Sequence, residues 1–85
     1  MYQVILHRRA VNFYDRLNEK QKNRLDKAID RLEDNPLYGK DIKKLRGKLK
    51  GKHRLKVGSF RVVYRVNKER NLVAVESIGP REGIY

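Results

Sequence analysis

Cysteine is absent from the 85 residues, which removes disulfide frameworks, thiol nucleophiles and cysteine-ligated zinc from consideration. Two histidines make a poor metal site on their own, so neither a metal nor another cofactor is expected. Acidic residues are scarce: ten Asp plus Glu stand against 22 Lys plus Arg, a formal net charge of +12. Such a surface repels cations and attracts phosphate. Long apolar runs are missing as well. The mainly apolar opening stretch meets His7, Arg8 and Arg9 at once, which is too short for a secretory segment or a membrane span. No membrane partner is expected, and the location that follows most simply is intracellular, in the cytoplasm. No internal repeat or low-complexity segment occurs, and a chain of this length holds one small core, so residues 1–85 are read as a single domain.

What is present is ordered in two ways. Apolar residues make up 39% of the chain and fall into periodic groups, which a disordered basic tail would not show. The charge is concentrated: residues 40–70 carry thirteen basic and two acidic side chains, whereas residues 1–39 carry eight and six. The same basic stretch contains Leu55, Val57, Phe60, Val62, Val63, Tyr64 and Val66, so it reads as a charged sheet.

Tyr2–Leu6 has the composition of a short strand. Ala10, Phe13, Tyr14 and Leu17 then recur at helical spacing, and Asn18 with Gln21 forms a capping-box pattern before a second helix striped by Leu25, Ala28, Ile29 and Leu32. That helix stops near Asp34-Asn35-Pro36, because proline disfavours helical geometry in the residue before it. The two helices are expected to form an antiparallel hairpin, and residues 37–51, with Gly39, Gly47 and Gly51, read as a loop.

Val57-Gly58-Ser59-Phe60 reads as a two-residue hairpin turn, which pairs Lys56 with Arg61, Leu55 with Val62, Arg54 with Val63 and His53 with Tyr64. Alternation then sends His53, Leu55, Val57, Phe60, Val62, Tyr64 and Val66 to the core, and Lys52, Arg54, Lys56, Arg61, Val63 and Arg65 to the other face. Like charges directly opposite cost about 0.2–1 kcal/mol per pair, so five cations on one face need a reason outside the fold. A third strand over Leu72–Ile78 puts Val73 and Val75 inward and the lone carboxylate of Glu76 among the cations. Beyond Gly79-Pro80, Arg81 supplies a planar fork for phosphate, and Tyr85 supplies a ring and a hydroxyl. His53 has core-face parity and is expected to pack near Tyr64 rather than to catalyse. His7 sits at a strand–helix junction.

Three strings in this order resemble the RelE/ParE toxin superfamily, and its RelE branch in particular: Lys44-Leu45-Arg46-Gly47, Phe60-Arg61-Val62-Val63-Tyr64 and Ile78-Gly79-Pro80-Arg81-Glu82. The resemblance spans the chain and implies an α+β fold of strand, helical hairpin and three-stranded antiparallel meander (β-α-α-β-β-β). It implies the toxin half of a type II toxin–antitoxin pair, with an acidic RelB-like antitoxin as partner. It also implies mRNA in the ribosomal A site as substrate, and operator DNA contacted only through the antitoxin complex. Carried over by position, the catalytic set is Lys56, Arg61, Arg81 and Tyr85, with RNA-binding roles for Lys44, Arg46, Lys52, Arg54 and Arg65. Arg54 departs from the pattern, which prefers lysine there. Arginine holds phosphate but is a poor base.

The chemistry this suggests needs no metal. The 2′-oxygen of RNA attacks the adjacent phosphorus and yields a 2′,3′-cyclic phosphate, which calls on a base, positive charge for the phosphorane and an acid for the 5′-oxygen. Lys56 is the first candidate for proton transfer, since two neighbouring guanidiniums oppose a further positive charge there. Arg61 and Arg81 would stabilise phosphate charge, Tyr85 would stack on a base or orient the 2′-hydroxyl, and Lys52 and Arg65 would supply affinity. Two other classes share parts of this pattern: a ParE-type gyrase poison and a non-catalytic RNA-binding or ribosome-associated protein.

Overall fold

In a computed structural model, which describes residues 1–80, Asn18 separates two helices and satisfies the first amides of the second. Its side chain accepts from the Gln21 amide at 2.9 Å while Gln21 Oε1 accepts from the Asn18 amide at 3.2 Å, the capping box that the sequence spells. On either side lie α1 (Arg8–Asp15) and α2 (Glu19–Asp34). Past α2, Asn35 Oδ1 accepts from the amides of Leu37 and Tyr38, turning the chain around buried Pro36.

Among the described residues, β1 (Gln3–Leu6), β2 (Ile42–Lys44), β3 (His53–Val57), β4 (Phe60–Asn67) and β5 (Leu72–Pro80) form one sheet in the order β1-β5-β4-β3-β2. β1 runs parallel to β5, and the remaining neighbours are antiparallel. The α+β class and the β3-β4-β5 meander match the expectation. The hairpin register does too: Val57 faces Phe60, Lys56 faces Arg61 and His53 faces Tyr64. Gly58 takes φ +59°, which a side chain rarely adopts, as the first central residue of that turn requires.

Residues 37–51 depart from the loop reading. They hold β2 and a 3-10 turn at Gly47–Leu49. Three residues, two of them lysine, carry no periodic signal, and β2 exists because Ile42, Lys43 and Lys44 pair with Leu55, Arg54 and His53 of β3.

The helices cover one sheet face. Ala10, Leu25, Ala28 and Leu32 pack with Leu55, Val62, Tyr64, Val73, Val75 and Ile78 into one buried cluster, flanked by Phe13, Tyr14, Leu17 and Val57. Tyr64 is wholly buried and donates its hydroxyl to the Pro36 carbonyl at 2.6 Å, which ties the sheet to the chain leaving α2. Burial pushes its phenol well above the ordinary tyrosine value. β5 carries a bulge. Val63 pairs with Ser77 but Tyr64 pairs with Val75, so Glu76 is an extra residue. Val73 and Val75 face inward before the bulge and Ile78 after it, because the extra residue resets the alternation.

Candidate nucleic-acid interface

The side chains that alternate with the core residues of β3 and β4 form the opposite face, which the helices leave uncovered. Two apolar residues outside the main core lie on this side. Val63 is 3% exposed between Arg61 and Arg65, and Leu45 is 8% exposed just after β2. The chain beyond Leu45 is wound tightly. Gly47 and Gly51 take φ +66° and +93°, Leu49 and Lys50 donate to the Arg46 and Gly47 carbonyls, and the Leu45 amide returns to the Lys52 carbonyl at 3.0 Å. The Lys-Leu-Arg-Gly string thus has a physical meaning: Lys44 at the sheet edge, a buried anchor, a cation before the turn and a glycine where a side chain would be strained.

This winding closes an open groove of about 1100 Å³ lined by Lys43, Lys44, Leu45, Arg46, Gly47, Leu49, Lys50, Arg54 and Arg61. Six of these carry positive charge, and none carries negative charge. Arg54 is half-buried. Its Nη1 donates to the Asp41 carbonyl at 3.4 Å, and its Nε is buried with no hydrogen-bond partner among the described residues. Arg61 is half-buried on the neighbouring strand. Lys56 faces Arg61 across the ladder but stands exposed toward the hairpin turn, outside the groove-lining set.

Lys52 and Arg65 are engaged elsewhere. Lys52 Nζ lies 2.6 Å from Glu76 Oε1, and Arg65 Nε donates to Glu76 Oε2 at 3.0 Å. The hydrogen bond from Lys52, with the charge of both cations, holds the Glu76 carboxyl below its ordinary value against the opposing effect of burial. His53 is stacked on Tyr64, ring centres 5.7 Å apart, as its parity implies. Burial, then the nearby charges of Lys44 and Lys68, push its imidazole below its ordinary value.

The structure therefore gathers Lys44, Arg46, Arg54 and Arg61 around one groove, with Lys56 beside it, and sets Lys52 and Arg65 on Glu76. Arg81 and Tyr85 lie outside the described residues. Sequence reasoning missed Lys43 and Lys50. Lys43 could have been found by extending the hairpin register one strand further, since it pairs with Arg54. Lys50 joins the groove only because of the turn between Gly47 and Gly51.

A two-layer domain of this connectivity, with a basic sheet face turned away from its helices, defines a type II toxin of the RelE/ParE fold. The model of the ParE toxin of type II toxin–antitoxin systems, parDE, matches residues 4–85, and the chain belongs to that family. Among solved structures it is similar to the archaeal RelE–RelB complex from Pyrococcus horikoshii, at 28% identity over 95% of this chain and 96% of that one, with a TM-score of 0.82. It is also similar to the intact Escherichia coli RelBE complex, at 27% identity over 98% and 100% with a TM-score of 0.80. A third similar structure is the RelBE2 complex of Mycobacterium tuberculosis, at 25% identity over 94% and 98% with a TM-score of 0.81. No curated protein sequence matches.

Proposed function

We propose that this toxin is a RelE-type endoribonuclease that cuts mRNA in the ribosomal A site. The observation that carries the reading is the groove of six cations, with the Lys56–Arg61 pair at its edge. In the proposed reaction the 2′-oxygen gives up its proton and forms a bond to phosphorus while the bond from phosphorus to the 5′-oxygen breaks. The products are a 2′,3′-cyclic phosphate and a 5′-hydroxyl. Lys56 handles a proton, Arg61 and Arg81 stabilise the charge that develops on the phosphate oxygens, and Tyr85 stacks on a base or orients the 2′-hydroxyl. Arg54, with Lys44 and Arg46, holds the backbone. Gly79 pairs with Arg61 and Pro80 with Phe60, so β5 ends beside the Lys56–Arg61 pair, which supports a role there for the residues that follow.

The His53 ring is stacked in the core, and the Glu76 carboxylate is held by two cations. Neither is free for acid–base work, so rate must come from positioning, which a ribosome supplies. Programmed ribosomes with mapped mRNA ends give the test. Cleavage of ribosome-bound mRNA is expected to far exceed that of free RNA, and rapid digestion of naked RNA would refute the reading. Lys56→Arg should keep binding and lose rate, because a guanidinium does not readily exchange its proton. Arg61→Ala should lower the saturated rate by about a hundredfold or more. The family match bears the name of a ParE toxin, which favours gyrase inhibition as the second reading. A plasmid-supercoiling assay run in parallel decides between them.

A further inference from the structure

Glu76 interrupts the cationic face at one defined place. It is the residue that the β-bulge adds to β5, and a bulge re-aims the side chain it carries. The two carboxylate oxygens divide their partners, Oε1 to Lys52 at 2.6 Å and Oε2 to Arg65 at 3.0 Å. This is how a phosphodiester's two free oxygens would bridge the same cations. The contact is partly sheltered: the side chains of Lys52 and Glu76 are 20% and 23% exposed, and that of Arg65 is 54% exposed.

On one side of this clip lies the six-cation groove. On the other, a second open hollow of about 690 Å³ is lined by Arg65 with Gly51, Asn67, Lys68, Leu72 and Ala74. With Lys52 and Arg65 unoccupied, positive charge would run without a break from the groove into this hollow. Stability does not explain the carboxylate. Ion pairs this exposed add little, and the bulge keeps Val73, Val75 and Ile78 inward whatever side chain stands at 76.

We infer that Glu76 is a built-in counter-ion that occupies the position of a nucleic-acid phosphate, withholds Lys52 and Arg65 from the substrate, and confines the RNA backbone to the β2-β3-β4 groove. This rests on the RNA-cleaving reading above, and it departs from the sequence-based view of Lys52 and Arg65 as affinity residues. In this role Glu76 sets specificity. By shortening the phosphate track it weakens the hold on free single strands and leaves productive binding to substrate positioned by the ribosome.

The test is equilibrium binding of a single-stranded deoxyoligonucleotide, which lacks the 2′-hydroxyl and is not cut, across a range of salt concentrations. Glu76→Gln keeps the shape and removes the charge. It should bind more tightly at low salt and steepen the salt dependence by about 0.7 log units per log unit of salt for each cation released, up to about 1.4 for both. Adding Lys52→Ala and Arg65→Ala should return the slope to the parent value. Glu76→Thr serves as a second uncharged variant, and thermal unfolding confirms that each is folded. A folded Glu76→Gln or Glu76→Thr protein with the parent slope, or a shallower one, overturns the inference. Ribosome-bound mRNA cut normally beside an unchanged slope sinks the counter-ion alone. Intact mRNA beside a steepened slope sinks the nuclease reading and leaves the counter-ion standing.

Discussion

At His53, burial and charge act in the same direction. The ring is stacked on Tyr64 with Lys44 and Lys68 nearby, and its folded-state value lies below the ordinary 6.5. As pH falls, the unfolded chain takes up this proton first, so the folded state's advantage is whole above about pH 6.5 and is lost as pH falls through the lower folded value. His53→Phe keeps an aromatic ring against Tyr64 and removes the titration. Urea midpoints at about pH 7.5 and about pH 5.5 should drop for the parent protein and drop less for the variant. Equal drops would assign the acid sensitivity to other groups. The core parity of His53 and the cationic parity of Lys56 and Arg61 were both legible, because a two-residue turn and strict alternation leave one register. Which cations keep their charge available was not. Lys52 and Arg65 look like Arg54 in sequence, and only the bulge that aims Glu76 at them sets them apart.

Among the elements, β5 is the one whose irregularity matters most. Before Glu76, odd-numbered residues face the core, and after it even-numbered ones do. Removing Ser77 would leave Val75 inward, Glu76 outward and Ile78 inward on a regular strand. Removing Ala74 would turn either Val73 or Val75, both wholly buried, to the outer face. Burying a valine side chain is worth about 1.5–3 kcal/mol, so the Ser77 deletion should be milder than the Ala74 deletion by about 2 kcal/mol or more in chemical denaturation. Losses of equal size would show that the bulge is not what maintains the inward set. β2 shows the opposite case. Three residues hold no pattern of their own, yet they bring Lys43 beside Arg54 and begin the wall of the groove.

For the whole molecule, the net charge of +12 is the property a partner meets first. Membership in a type II toxin–antitoxin family implies a cognate antitoxin, and this surface calls for an acidic, partly disordered chain with carboxylates near Arg61 or Arg81. Association should be fast at low salt and slow by about tenfold or more between about 0.05 and about 0.5 M salt in stopped-flow mixing, because screening removes the long-range attraction. A basic partner, or one whose rate ignores salt, would contradict this.

The amino-acid order alone settles whatever depends on neighbours along the chain. The capping box at Asn18, the stop before Pro36, the hairpin at Gly58 and the division of β3 and β4 into an apolar and a cationic face all follow from local geometry and alternation. Contacts between distant segments had to be added by the fold. β1 lies parallel beside β5, β2 is created by its partner strand, and the winding between Leu45 and Lys52 turns scattered lysines into the wall of a groove. Glu76 meets Lys52 and Arg65 only across three strands. Hydrophobic spacing carries no information about such meetings, because the energy that fixes them appears only when the segments are already in contact.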